Sequence, residues 1–158
     1  NTTNGIVPAT TTYSWSAPSV VGITGTAAGS AAASITGTLT NTTNAAIDVV
    51  YSVTATSGSC VASASFNVTV TVSPRPAVTA MATTTCSATG FTVSPVNTTN
   101  GIVPAATTYS WAAPSVGGIT GTASGSAASS IAGTLTNTTN AAINVIYSVT
   151  PTAVARYC

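Results

Sequence analysis

The sequence predicts an all-β protein built from two tandem β-sandwich domains. Three observations carry this prediction: apolar and polar residues alternate along several short segments, one segment of 56 residues occurs twice, and β-branched residues dominate between Gly, Pro and Asn-Thr clusters. Alternation with a period of two is the pattern of strands with one buried face. No stretch has a convincing helical pattern, and the Ala-, Gly- and Ser-rich residues 27–33 are predicted to form a loop.

A long internal repeat sets the domain organisation. Residues 1–56 return as residues 97–152, an offset of 96 positions. Nine mild substitutions, such as Asp48 against Asn144, leave 47 of the 56 positions identical. A period of this length fits a whole small domain, because solenoid repeats are about 20–50 residues long. The sequence therefore predicts two closely similar domains.

The predicted strands follow one another in chain order and are separated by turn residues. They lie at 11–16, 34–40, 47–54, 65–72 and 90–95. The clearest is SFNVTVTV at 65–72, in which Val and Thr alternate. The aromatic residues that alternate with Ser at the start of a central strand are predicted to fill the core, as in many sandwiches. These core aromatic residues are Tyr13, Trp15, Tyr109 and Trp111.

The segment SPRPAV at 73–78 marks the boundary between the domains. Pro74 and Pro76 flank Arg75 and cannot donate to a strand ladder, so they predict a stiff extended linker. We therefore predict one domain over 1–73 and a second over 74–158. Counted from this linker, the first domain lacks its first two strands and the second lacks its last strand. Each is predicted to be incomplete at a chain end, either as part of a longer tandem array or as a subunit completed head to tail by a neighbour.

Charged residues are almost absent, which excludes most chemistry. The chain has two Arg, one Asp and no Lys, Glu or His, for a net charge of +1. Acid–base catalysis and metal binding need several such side chains brought together, and Asp48 stands alone. Arg75 and Arg156 are too far apart in sequence to indicate a basic patch for nucleic acid. The sequence predicts no enzyme, no metal or other cofactor, no nucleic-acid partner and no membrane span.

The three cysteines follow the same repeat. Cys158 lies 98 positions after Cys60, which is the repeat offset plus two residues. A complete unit would then own one cysteine on its first strand and one after its YSVT strand. We predict a disulfide between Cys86 and Cys158 within the second domain and a bond from Cys60 to a neighbouring unit or subunit. Three reduced thiols are the alternative.

Two further groups of residues suggest roles at the surface. The N-x-[ST] triplets are candidate glycosylation sites, although several are expected by chance in a chain so rich in Asn and Thr. They begin at Asn1, Asn41, Asn67, Asn97 and Asn137. The tryptophans could stack on sugars, and the threonine rows at 36–40 and 69–71 could form an ice-binding face. A buried core and a solvated strand explain the same residues.

The order of several motifs resembles a known family. PRPAVTAMATTTCSATGFTVSP, YSWAAP, GGITGT and IAGTLTNTTNAAINVIYSVTPT, with FNVTVTVSPRP after Cys60, resemble the PKD-like, immunoglobulin-like repeats found in tandem in very large secreted surface proteins of bacteria. The resemblance implies an extracellular immunoglobulin-like sandwich that serves as stalk, adhesin or filament. It implies no catalytic residues. The incomplete domains separately predict association with copies of the same unit, and the N-x-[ST] triplets make glycans a candidate further partner. An extracellular carbohydrate-binding or ice-binding module is the alternative function.

Overall fold

The structure is a computed structural model that describes residues 5–61 and 64–153. The prediction of an all-β fold is confirmed, because the described residues form antiparallel strands and none of them lies in a helix. The chain divides into two compact units, with the boundary between Ser73 and Pro74. We call the N-terminal part unit 1 and the C-terminal part unit 2.

Sixteen short strands are present in the described residues. Unit 1 contains β1 (Thr11–Trp15), β2 (Ile23–Thr24), β3 (Gly29–Ala32), β4 (Thr40–Asn41), β5 (Ile47–Ser57), β6 (Cys60–Val61) and β7 (Phe66–Val72). Unit 2 contains β8 (Ala77–Val78), β9 (Gly90–Val93), β10 (Gly101–Ile102), β11 (Thr108–Trp111), β12 (Ile119–Thr120), β13 (Gly125–Ala128), β14 (Ile131–Thr134), β15 (Thr136–Asn137) and β16 (Val149–Thr152).

The main sheet of unit 1 has the order β3-β1-β5-β6, and β7 also pairs with β5. Strand β5 is therefore central, with β1 on one edge and β6 and β7 on the other. Its residues alternate between buried and exposed, as the sequence pattern requires. Val49 and Val53 are fully buried, whereas Val50 between them is exposed. A separate pair of strands, β2 and β4, lies outside this sheet.

The core of unit 1 forms between these layers. Ile23, Val49, Tyr51 and Val53 are buried at its centre. The partly buried apolar residues that surround them are Tyr13, Trp15, Val20, Ile35, Leu39, Ile47, Val68 and Val72. Strands β1, β5 and β7 of the main sheet each supply at least one member, so the core depends on β7 as well as on β1 and β5.

Unit 2 repeats part of this arrangement. Its central strands form a three-stranded sheet in the order β13-β11-β16, and β12 pairs with β15 as β2 does with β4. Two further ladders, β9 with β14 and β8 with β10, have no counterpart among the described strands of unit 1. The register of β11 with β16 is that of β1 with β5 shifted by 96 positions: Trp111 faces Val149 as Trp15 faces Val53.

Two parts of the sequence-based strand assignment were wrong. Residues 29–32 and 125–128, predicted to lie in a loop or left unassigned, are strands that pair with the Tyr-Ser-Trp strand of each unit. The predicted strand at 34–40 is absent from 34–39 in unit 1, although its counterpart in unit 2 forms β14 and β15. A strand needs a partner, and among the residues that the structure describes this segment has one, β9, in unit 2 alone.

In each unit, a serine hydroxyl accepts a hydrogen bond at an irregularity in the ladder between the Tyr-Ser-Trp strand and the strand that follows it in that sheet, β3 or β13. The register shifts between Tyr13 and Trp15, where Ala31 has a positive φ of 49°. The backbone N–H of Ala31 donates to Ser14 Oγ at 3.1 Å. This bond satisfies a backbone donor that the irregular ladder would otherwise leave unpaired. Ser110 and Ala127 repeat it at the same distance in unit 2.

Candidate functional site

The candidate site is a sheet edge that is closed in unit 1 and open in unit 2. In unit 1, Ile47–Val53 pairs with Phe66–Val72 in an unbroken register from Ile47 opposite Val72 to Val53 opposite Phe66. In unit 2, the corresponding segment is 143–149, which differs only by Asn144 for Asp48 and Ile146 for Val50. Residues 142–148 lie in no strand and pair with no strand that the structure describes.

Burial follows the pairing. Val49 and Val53 are fully buried in unit 1, but their counterparts in unit 2, Val145 and Val149, are only half-buried. The exposed fraction rises from 44% at Val50 to 81% at Ile146. The two segments have nearly the same side chains, so the presence or absence of β7 explains the difference. The open edge of unit 2 therefore exposes both unpaired backbone groups and apolar surface.

Asn41 ties the last strand of unit 1 to the rest of the unit. Its Nδ2 group donates to the carbonyl oxygens of Ala45 at 2.7 Å and Val72 at 2.8 Å. Its Oδ1 atom accepts from the N–H and the hydroxyl of Thr43, both at 2.8 Å. Because Asn41 is only 6% exposed, these four bonds are shielded from water. The bond to Val72 attaches the end of β7 to this turn, and we call the Asn41 side chain with this bond the latch.

Asn137 keeps the same turn in unit 2 without the strand. Its Nδ2 group donates to Ala141 at 2.8 Å, and its Oδ1 atom accepts from the N–H and hydroxyl of Thr139. The bond that would correspond to that of Asn41 with Val72 is absent from the described part of the chain. Asn137 is also less buried than Asn41. The turn that carries the latch is thus formed in unit 2, without a bond to a last strand in the described residues.

A second edge shows the reverse situation. In unit 2, β14 pairs with β9, and Ile131 faces Val93 and is buried. In unit 1, the counterpart of β14 is 35–38, which is not a strand, and Ile35 is only half-buried. Each unit therefore leaves open, within the described residues, the edge that the other closes with its own strand.

The predicted core aromatic residues lie on β1 in unit 1 and on β11 in unit 2. Tyr109 is buried, and burial raises the pKa of its phenol; Tyr13, Trp15 and Trp111 are half-buried. The indole of Trp15 donates to the carbonyl of Ala27 at 2.9 Å, and that of Trp111 to the carbonyl of Ala123 at 3.0 Å.

Each tryptophan ring also covers a glycine on the neighbouring strand. A Cβ atom on Gly29 would overlap the Trp15 ring, and one on Gly125 would overlap the Trp111 ring. These glycines are the cross-strand partners of the two tryptophans. Each ring packs over its glycine in the space that a side chain there would occupy. Packing of an aromatic ring on a cross-strand glycine stabilises glycine within sheets. This packing holds one ring face of each indole against the protein.

The sequence model of the PKD-like domain family matches residues 1–76 and again residues 83–158. The chain belongs to the PKD-like domain family. No curated protein and no solved structure matches this chain. The predicted resemblance is confirmed, and with the antiparallel strands it supports two tandem immunoglobulin-like sandwiches. Tandem PKD-like domains indicate a structural repeat, are generally not catalytic and usually occur in extracellular or surface proteins.

The predicted glycosylation sites of the PKD-like units differ in accessibility. Asn41 does not fit this role in the folded unit, because its Nδ2 atom is buried and donates two hydrogen bonds. Asn67 is exposed on β7, while Asn97 and Asn137 are half-buried at turns. The Oδ1 atom of Asn97 accepts from the N–H of Val103 at 2.9 Å. Asn1 lies outside the described residues, and glycan attachment at the other sites stays a prediction.

The roles predicted for the cysteines and for the linker stay predictions. Cys60 and Cys86 are exposed and form no disulfide within the described residues. Cys158, the predicted partner of Cys86, lies outside those residues. Pro74, Arg75 and Pro76 connect the end of β7 to the start of β8 and belong to no strand.

The described residues offer little else to build a chemical site. They contain no group of three or more potential metal ligands. Asp48, the only carboxylate side chain, accepts a hydrogen bond from Thr71 Oγ1 at 2.6 Å across the β5–β7 ladder. No helix long and apolar enough to cross a membrane occurs in the part of the chain that the structure describes. The open edges are the feature most capable of binding a partner.

Proposed function

We propose that this chain is a non-enzymatic structural repeat of an extracellular filament, stalk or adhesin. Its PKD-like units are joined head to tail, and each open edge is completed by a strand from a neighbouring unit or subunit. The observation that carries the proposal is the contrast between 47–53 and 143–149. Residues 47–53 pair along their whole length with β7 in unit 1, whereas the nearly identical residues 143–148 of unit 2 pair with no strand that the structure describes.

The physical basis is the cost of an open edge. Unpaired N–H and C=O groups and a partly exposed core favour the addition of a strand. The near-neutral surface supports the same conclusion, because a net charge of only +1 offers little electrostatic repulsion between units. Association that repeats in one direction without closing on itself generates a linear polymer. A neighbour would thus contribute both stability and length.

Electron microscopy of the native material tests this function. We expect linear polymers in which a strand from one unit lies beside residues 143–149 of the next. Added sugars should not change their length or number. Isolated monomers in native material, or polymers in which this edge faces solvent, would contradict the proposal.

A carbohydrate-binding module is the second candidate, and one surface feature favours it. A shallow groove beside Trp15 is lined by several hydroxyl groups, including those of Ser14, Ser52 and Thr54. Aromatic rings flanked by hydroxyls suit sugar binding. The candidate predicts that saccharides raise the melting temperature of the monomer and that Trp15→Phe reduces the rise. The ice-binding alternative depends on the threonine rows alone and would show as thermal hysteresis.

A further inference from the structure

We propose that residues 143–149 and the side chain of Asn137 form an acceptor site for one extended strand. The partner is an extended strand with the pattern Phe-Asn-Val-Thr-Val-Thr-Val. This inference rests on the proposed function and names the partner and the register of the contact. The pattern is that of β7, the strand that covers the corresponding edge of unit 1.

Unit 1 fixes the register of the incoming strand. In unit 1, Ile47 lies opposite Val72 and Val53 opposite Phe66. The repeat offset of 96 residues then places Ile143 opposite the final Val of the partner strand and Val149 opposite its Phe. Tyr147 then faces the first Val, as Tyr51 faces Val68 in unit 1. A slip of one residue would turn every Val of the strand away from the core, so the apolar pattern selects this register.

The acceptor edge also has a matching apolar surface. Val68 and Val72 pack against the buried core in unit 1. In unit 2, Val145 and Tyr147 are half-buried, and the ring of Tyr147 already contacts Phe91 and Trp111 at centroid distances of 6.0 and 6.4 Å. The floor of the site is therefore ordered by packing from within unit 2. Two valines of a partner strand would cover the surface that is still exposed.

Asn137 supplies a specific polar contact at one end of the site. In unit 1, the Nδ2 group of Asn41 reaches the carbonyl of Val72, the last residue of β7. The Asn137 turn has the same internal bonds to Thr139 and Ala141. An incoming strand in the expected register places its final Val carbonyl at the same position. The latch would then fix where the strand ends.

A synthetic peptide of residues 65–73, SFNVTVTVS, tests the inference on the full chain. The probe is the fluorescently labelled peptide, and binding is followed by anisotropy and by two-dimensional NMR of the isotope-labelled protein. We expect saturable binding, with shifts concentrated at 143–149 and at the Asn137 side-chain amide. Residues 47–53, already paired, serve as the internal control and should not shift.

Matched variants separate the strand contact from general adhesion. A peptide with Val70→Pro cannot continue the ladder and should bind at least about tenfold more weakly. Asn137→Asp keeps the Oδ1 acceptor of the turn but removes the Nδ2 donor, and we expect about five- to tenfold weaker binding, the effect of one hydrogen bond. Asn144→Asp reproduces the edge of unit 1 and should bind the peptide as the parent chain does.

Three results would overturn the inference. These are an absence of saturable binding, equal affinity of the Val70→Pro peptide, or shifts at 47–53 in place of 143–149. Electron microscopy of the native material decides the proposed function separately. Native polymers without peptide binding would refute only the acceptor site, and peptide binding without native polymers would refute only the filament.

Discussion

Asn41 holds Val72 by a single hydrogen bond of 2.8 Å that links residues 31 positions apart in sequence. The bond joins the turn after β4 to the end of β7, so it connects the short ladder of unit 1 to its main sheet. The remaining bonds of Asn41 keep its amide fixed in the turn. A buried amide with all its partners in place both stabilises and specifies the arrangement around it.

Asn41→Ala should therefore destabilise unit 1 by about 2–3 kcal/mol, since it removes several hydrogen bonds and leaves the Val72 carbonyl with one partner fewer. Asn137→Ala in unit 2 should cost less, about 1 kcal/mol, because its turn is more exposed and lacks the strand bond. Urea unfolding followed by tryptophan fluorescence measures both. A Trp111→Phe background reports unit 1 through Trp15, and a Trp15→Phe background reports unit 2. Equal losses in the free energy of unfolding of the two units would contradict the stabilising role of the bond between Asn41 and Val72.

The contact between tryptophan and glycine predicts a sharp difference between glycines. Gly29→Ala should destabilise unit 1 by about 2–4 kcal/mol, because the new methyl group overlaps the Trp15 ring and the ring cannot move without losing its bond to Ala27. Gly37→Ala is the control, since a Cβ there meets no atom within 4 Å. We expect its effect to be within about 0.5 kcal/mol. Thermal unfolding of both variants checks the prediction.

Burial predicts unequal effects of the same substitution in the two units. Val49→Ala removes fully buried methyl groups and should cost about 2 kcal/mol or more with the cavity it leaves. Val145→Ala acts on a half-buried side chain and should cost about half as much. Urea unfolding in the two single-tryptophan backgrounds gives the comparison. With the peptide of residues 65–73 bound, we expect the cost of Val145→Ala to rise toward that of Val49→Ala.

Tyrosine burial predicts a loss of stability at alkaline pH. Burial raises the pKa of both Tyr109 and Tyr147 above the ordinary value of 10.0. The folded chain then holds these phenolic protons to a higher pH than the unfolded chain does. The free energy of unfolding is therefore constant below about pH 10 with respect to these groups and falls as the pH rises above it. Tyr109→Phe should reduce that fall when unfolding is measured from pH 9 to 11.5, and an unchanged slope would contradict the assignment.

The sequence predicted the features that depend on local pattern. The alternation in 47–54 identified the central strand, and its buried and exposed residues follow the pattern closely. The strand Gly29–Ala32 was missed because small residues suggest a loop, whereas here they are required by the tryptophan that packs on them. The N-x-[ST] pattern predicts a glycosylation site at Asn41, whereas the structure shows this side chain bonded within the turn. The repeated N-T-T-N-A-A segment was the available signal, because Asn followed by Thr favours side-chain turns.

The residue pattern could not predict which segments have a pairing strand beside them. Nothing within 34–40 shows that this segment needs a strand of the GFTV type beside it, yet the structure forms the strand only where that partner is present. The same holds for 47–53 and 143–149. Pairing in a sheet is a contact between distant segments, and a local pattern carries only half of it.

Pairing at the open edge should also be measurable by infrared spectroscopy. In unit 1, the pairing of β5 with β7 extends from Ile47 to Val53, and the same stretch of unit 2 begins its strand only at Val149. Each unit that gains a partner would convert this stretch from irregular backbone into strand, together with the residues that arrive. The amide I band of the chain should therefore shift in proportion to occupancy, so that the extent of assembly could be followed in solution without a label.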